Sequence, residues 1–392
     1  MKKPILLLGL ATLLAACSDD KTVELAVANP AGGASLSQLA AVPAAPILER
    51  LGADYIYVAD ASGREIPSQI TYDGLLLFPA DVAAGSESIY TVGASDTCHV
   101  YPRLASGRLY PERADDIAWE NEAVGFRIYG PATQAKGERA FGYDIFFKHR
   151  SDDAILPVLY KDETDPAVWA RVDSLRAIDP KLAQDYIDSF SYHIDHGLGM
   201  DCYAVGPTLG DGVAAFVEND SILFAWCYDK AVVLDNGPLR FTVKLDFAPR
   251  AIGSDSTVVE HRVISLDAGS YLNRQSTWFD GLTSGRKIAA GMPVREGSIY
   301  EAAAPTLAVT DLTQGPDNGT ALLGVIMPGA AASENLVQGH AILMKDFAPT
   351  DTLTHHWGFA WDREAFGTME AWSAHLSDAA KATEKPLIVT IK

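Results

Sequence analysis

Between residues 239 and 247 every second side chain is apolar: Leu239, Phe241, Val243, Leu245 and Phe247 alternate with Arg240, Thr242, Lys244 and Asp246. A period of two places the apolar set on one face of a strand and leaves the other face wet. Residues 257–266, 321–327 and 387–391 read the same way. Nearer the start, residues 22–29 alternate, a tract rich in Ala, Pro and Gly over 30–46 reads as loop or linker, and short strand-like runs follow at 55–58, 75–78 and 88–92. Only two segments carry helical spacing. One covers residues 180–190; the other runs from near Asp362 to Lys385, with Phe366, Met369, Trp372 and Leu376 in step, and stops at Pro386. Many strands and few helices predict a mainly β chain of stacked antiparallel sheets, with a small N-terminal β-sandwich over 22–95 and a larger domain over 98–392.

The first residues follow another logic. Lys2 and Lys3 precede an apolar run over 4–16 that is too short to span a bilayer, and the run ends Leu14-Ala15-Ala16-Cys17. Small residues before a cysteine whose thiol can accept a lipid predict a lipoprotein signal peptide over 1–17, with lipidation at Cys17. The polar, acidic Ser18-Asp19-Asp20 that follows resembles the start of lipoproteins that Bacteroidota send to the cell surface. No later apolar stretch approaches the length of a spanning helix. Membrane attachment is therefore expected through the lipid alone, outside the cytoplasm, at the surface or periplasmic face of the outer membrane.

Charge narrows the partners. The chain has 31 basic and 51 acidic residues; without Lys2 and Lys3 the balance is 29 against 51, a net charge near −22. Such a surface repels nucleic acid and anionic membrane, so an acidic substrate must enter through a local basic pocket. Beyond Cys17 there remain Cys98, Cys202 and Cys227, an odd number without close pairing, which allows one disulfide and excludes a disulfide scaffold. No Walker loop, dinucleotide fingerprint, G-x-S-x-G elbow or H-E-x-x-H helix is present, which argues against the chemistries those motifs carry.

Polar and aromatic residues gather in four stretches: 111–131, 192–210, 266–274 and 355–362. In the first, a strand through residues 124–129 would put Arg127 and Tyr129 on one face, with Asn121 and Trp119 close in sequence. An aromatic shelf beside a guanidinium suits a carboxylated sugar; a structural pairing of Arg127 with Glu120 or Glu122 weighs about equally. The second stretch holds Tyr192, His193, Asp195, His196, Asp201 and Tyr203 among glycines that allow a tight loop. Acid/base chemistry, a plain hydrogen-bonded turn, and a divalent metal held by His193, Asp195, His196 and Asp201 are its alternatives; the spacing matches no strong metal template.

Residues 111–131, 192–210 and 265–274 resemble the bacterial exported proteins of domain-of-unknown-function family 4861, common in polysaccharide-degradation loci. The resemblance extends over most of the mature chain. It implies a galactose-mutarotase-like supersandwich, and a carbohydrate-active enzyme of the kind found in ulvan degradation: an oligosaccharide dehydratase that forms a 4,5-unsaturated uronic acid at the non-reducing end. Such a reaction needs a base for the C5 proton, neutralisation of the adjacent carboxylate, and an acid for the departing C4 oxygen. On that reading His193 and Tyr203 are the expected acid/base pair, with His196 in reserve. Arg127, Asn121 and Arg274 would hold the carboxylate, and Trp119, Trp357 and His356 would line the sugar site. A glycoside hydrolase using two of Glu120, Asp195 and Asp201, and a non-catalytic glycan-binding lipoprotein, are the competing expectations.

Overall fold

A computed structural model describes residues 22–30, 39–315 and 317–392. Cys17 and residues 31–38 lie outside the described residues; the rest of the 30–46 tract is not the expected loop, since it forms strand Leu39–Pro43 and opens helix Ala45–Leu51. The chain is mainly β, built of stacked antiparallel sheets.

The largest sheet has nine strands among the described residues. Its central members are Arg240–Phe247, Asp255–Asp267, Leu272–Asp280, Leu353–Trp361, Thr320–Ile326 and Thr306–Leu312, each antiparallel to its neighbours. The alternation read at 239–247 is realised here: Phe241, Val243, Leu245 and Phe247 all face the core. Two five-stranded sheets pack against the same inner face. One is formed by Gly199–Met200, Asp144–Lys148, Gly125–Ile128, Asp116–Glu120 and Ser106–Tyr110; the other contains Ala214–Glu218, Arg286–Pro293 and His340–Phe347. The outer face of the main sheet is partly covered by helix Met369–Glu384, which seats Trp372 and Leu376 on Leu272, Ala308, Leu322, Ile326 and Ala360. This helix starts later than its periodicity predicts, because Phe366 and Gly367 turn through positive φ and the Thr368 side chain caps the first turn by accepting from Ala371 N–H.

The sheet containing Gly125–Ile128 positions the candidate site. Phe126 pairs with Trp119, and Arg127 with Ala118 and Asp144. The period of two therefore divides the sheet. Trp119, Phe126, Ile145 and Phe147 enter the main core, where Trp119 stacks on Phe241 and Phe126 meets Trp357 edge-on, with ring centroids 6.0 and 5.2 Å apart. Arg127, Ala118 and Phe146 face the other way, beneath a helical layer that contributes Leu156, Leu159 and Tyr160.

That layer was underestimated from sequence. Helices Leu156–Glu163 and Pro166–Ile178 precede the expected one, which spans Pro180–Asp188. Pro166–Ile178 escapes a periodicity search because it buries only Val172. Its start signal is nevertheless present: Asp165 and Asp179 each cap a helix whose first residue is proline, accepting from Ala167 and Lys181 N–H.

The small sandwich pairs a five-stranded sheet with Leu39–Pro43, Leu75–Pro79 and Gln69–Ile70 around Val23, Leu25, Val58, Phe78 and Val92. Its boundary differs from the expected 22–95. The final strand, Ile388–Ile391, leaves the large domain and pairs with Thr22–Ala28. Gln69 docks the sandwich on the main sheet, accepting from Leu239 and Arg240 N–H at 2.9 and 2.8 Å.

Candidate active site

Arg127 lies 2% exposed on the covered face of its sheet. Such a guanidinium persists only with partners. Its Nε donates to Asp144 Oδ2 at 2.9 Å, and its Nη2 donates to Asp201 Oδ2 at 2.7 Å and to Tyr129 Oη at 2.9 Å. Tyr129 in turn donates to Asp144 at 2.7 Å. Burial pushes the Asp201 pKa up to about 6 against the pull of Arg127, and Asp144 adds to the rise.

The 192–201 loop delivers Asp201 to this cluster. Asp201 N–H donates to the Tyr192 carbonyl at 2.8 Å, closing the loop at its neck. Inside it, the Asp195 carboxylate accepts from Gly197 and Gly199 N–H at 2.8 and 3.1 Å. Gly199 is required: its φ is +129°, and a Cβ there would collide with the Phe147 carbonyl across the ladder.

His193 projects from the loop with its side chain 55% exposed. Its Nδ1 sits 2.7 Å from the Asp201 main-chain carbonyl. A carbonyl can only accept, so the proton resides on Nδ1 and the Nε2 lone pair is left free. The imidazole packs against the Tyr192 ring, centroids 4.5 Å apart and planes tilted by 54°. The Tyr192 hydroxyl accepts from Arg113, at 3.0 Å from Nη2 and 3.3 Å from Nε. The arrangement is an outward-facing imidazole on a loop braced by a buried ion cluster, packed on a tyrosine whose hydroxyl holds Arg113. That is what proton abstraction from a bound ligand requires.

The structure separates the residues expected from sequence. His193 and Asp201 come together with Arg127, and Asp195 and His196 share their loop, where His196 is exposed. Arg127 is corrected as a substrate ligand, because its guanidinium is buried and engaged by two carboxylates. Tyr203 does not join His193: it is buried, with the Arg295 guanidinium 5.3 Å from its ring centroid and Asp311 alongside. Trp119 and Trp357 are core residues whose indole N–H groups donate to Asn273 at 2.8 Å and Gln275 at 3.0 Å, so neither offers a face to a sugar. Asn121 clips two loops together, donating to the Asp267 and Ser270 carbonyls at 2.8 and 2.7 Å. Arg274 and His356 are cross-strand partners on the outer face of the main sheet, where burial pushes His356 down to about 3.

The alternatives fare similarly. Among the described residues no three His, Cys, Asp or Glu side chains gather to hold a metal ion. Asp195 turns instead to His149, and His193 to a carbonyl. Glu120 pairs with Lys148 at 2.9 Å and accepts from Ile155 and Leu156 N–H at the start of a helix, so it cannot serve as a hydrolytic acid. Sequence reasoning passed over Asp144, His149 and the roles of Tyr192 and Arg113. A readable signal existed for Asp144, a lone charge entering the apolar run Ile145-Phe146-Phe147.

Residues 27–389 match the family described as a domain of unknown function, DUF4861. The chain belongs to the DUF4861 family. Residues 1–18 of this DUF4861 protein match the prokaryotic membrane lipoprotein lipid attachment site, which makes it lipid-anchored and non-cytoplasmic. Among the described residues no helix is long and apolar enough to cross a membrane. A Formosa agariphila protein bearing the name "Uncharacterized protein P7" is 24% identical over 344 residues, covering 81% of this chain and 78% of that one. Two solved structures from Enterococcus faecalis, a protein in glycosyl hydrolase family 38 and an alpha-mannosidase, each align with 95% of this chain at a TM-score of 0.48, with 8% and 9% identity. The DUF4861 chain spans about half the length of those two, 47% and 46%.

Proposed function

We propose that this protein is a carbohydrate-active carbon–oxygen lyase of the dehydratase type, acting on the non-reducing-end uronic acid of acidic oligosaccharides. The observation that carries the reading is the 2.7 Å contact of His193 Nδ1 with the Asp201 main-chain carbonyl on an exposed side chain, which in the neutral imidazole leaves Nε2 as the base. Nε2 takes the C5 proton, the freed electron pair forms the C4–C5 double bond, and the C4–O bond breaks. The imidazolium, stabilised through Nδ1–H by the Asp201 carbonyl, returns a proton to the departing oxygen, and His196 on the same loop is the reserve donor. Arg127 contributes as a positioning residue, by holding Asp201 where its carbonyl meets His193.

The hydrolase reading loses support because Glu120, Asp195 and Asp201 all have committed partners. We place the lipid anchor in the outer membrane, where products of polysaccharide breakdown are met. The test is near-ultraviolet absorbance during incubation of the protein lacking residues 1–17 with glucuronate- and iduronate-ended oligosaccharides. A rise that disappears with His193→Gln is expected. New reducing ends without absorbance would overturn the reading in favour of hydrolysis.

A further inference from the structure

Elimination next to a carboxylate needs a cation on that carboxylate, and the buried Arg127 cannot supply it. We propose that Arg113 is the residue that recognises the substrate carboxylate, an assignment that rests on the elimination reading above. Its side chain is 30% exposed. Two of its nitrogens share a single acceptor, the Tyr192 hydroxyl, and a third forms an ion pair with the buried Asp116 carboxylate, Oδ2 at 3.6 Å, without a hydrogen bond. The guanidinium therefore keeps N–H donors in reserve, in the planar fork that suits a carboxylate. Tyr192 is the common neighbour: its hydroxyl fixes Arg113 while its ring lies against His193.

The backbone supports the same assignment. Arg113 closes the short helical turn Pro111–Arg113, and the next two residues, Ala114 and Asp115, both adopt left-handed φ of 55° and 62° without being glycine. Strain of this kind persists only where the surroundings enforce it. Here Tyr228 donates to the Asp115 carbonyl, Gly130 leaves the space that any Cβ would take from that carbonyl, and Gly130 N–H donates to Asp116 at 3.2 Å. These features hold a costly turn directly after Arg113, itself fixed on the Tyr192 hydroxyl, one residue from His193 along the chain of contacts.

The experiment uses the His193→Ala protein, so that ligand is bound without turnover, and titrates it calorimetrically with a glucuronate-ended disaccharide and with its methyl ester. The acid should bind about tenfold or more tightly than the ester, and adding Arg113→Gln should make the two equal. Arg113→Met, which keeps the packing of the aliphatic stem, repeats the test if the glutamine variant melts early by circular dichroism. A preference for the acid that survives loss of Arg113, or no preference to begin with, overturns the proposal. If the preference depends on Arg113 but the unaltered protein never yields an unsaturated product, Arg113 stands as the anion clamp and the elimination chemistry falls.

Discussion

His149 stands between two carboxylates, its Nε2 2.7 Å from Asp195 and its Nδ1 2.5 Å from Glu364, and so ties the loop that carries His193 to the turn after strand Leu353–Trp361. Burial works against the charged imidazole, but the hydrogen bonds to Glu364 and Asp195 outweigh it and raise its pKa. The contribution of a group whose folded pKa is raised is fully present below its unfolded value, near 6.5, and is lost as pH rises through the folded value. The tie should therefore hold in mildly acidic solution and loosen on the alkaline side. Hydrogen exchange of the Gly197 and Gly199 amides, corrected for intrinsic rate, should show protection falling from pH 6 to pH 8. In His149→Gln it should be low and flat; an unchanged pH dependence in that variant would show that another group controls the loop.

His193→Ala should abolish turnover while leaving the fold alone. A general base contributes on the order of 10²–10⁴ in rate. The side chain is mostly exposed, so the melting temperature should move little. Activity retained within a few-fold in the folded variant would remove His193 from the mechanism.

Arg127→Leu tests the opposite kind of residue. It leaves Asp144 and Asp201 buried without their counter-charge, for an expected loss of roughly 3–5 kcal/mol in urea unfolding. Adding Asp201→Asn should recover part of that loss, because one stranded charge goes. A variant of full stability that fails only in ligand affinity would return Arg127 to the substrate.

Trp119→Ala should cost about 3–5 kcal/mol as a core truncation, whereas Trp119→Phe should cost less and leave oligosaccharide affinity unchanged. A folded phenylalanine variant with sharply weakened affinity would reopen the stacking role that sequence suggested for this residue.

The contrast between Trp119 and Arg127 shows where sequence stops. Alternation placed Arg127 and Tyr129 on one face and Phe126 on the other; the register pairs Phe126 with Trp119 and Arg127 with Ala118, and the Tyr129 hydroxyl accepts from Arg127. What alternation lacks is knowledge of the layer covering each face. A strand buried on both sides presents tryptophan and arginine with equal local plausibility, and only the helices stacked on one side and the main sheet on the other assign them. The loop at 192–203 was legible as a site because its glycines and titratable residues are dense. Tyr203 was misassigned because a two-residue step past Asp201 carries the chain from the ion cluster to Arg295 and Asp311. Arg113 escaped notice because its value lies in two left-handed residues that no glycine announces.

The pairing of Ile388–Ile391 with Thr22–Ala28 has a consequence for biogenesis. The strand next to the lipid-bearing end cannot complete its sheet until almost the entire chain has emerged, and contacts this distant in sequence form late because loop closure is costly. The large domain must first bring the two ends together. The Thr22–Ala28 strand can pair early with Glu87–Ser95 on one edge, but its other edge stays open until the last strand of the chain arrives, so the small module is sealed by the end of the chain and not by its beginning.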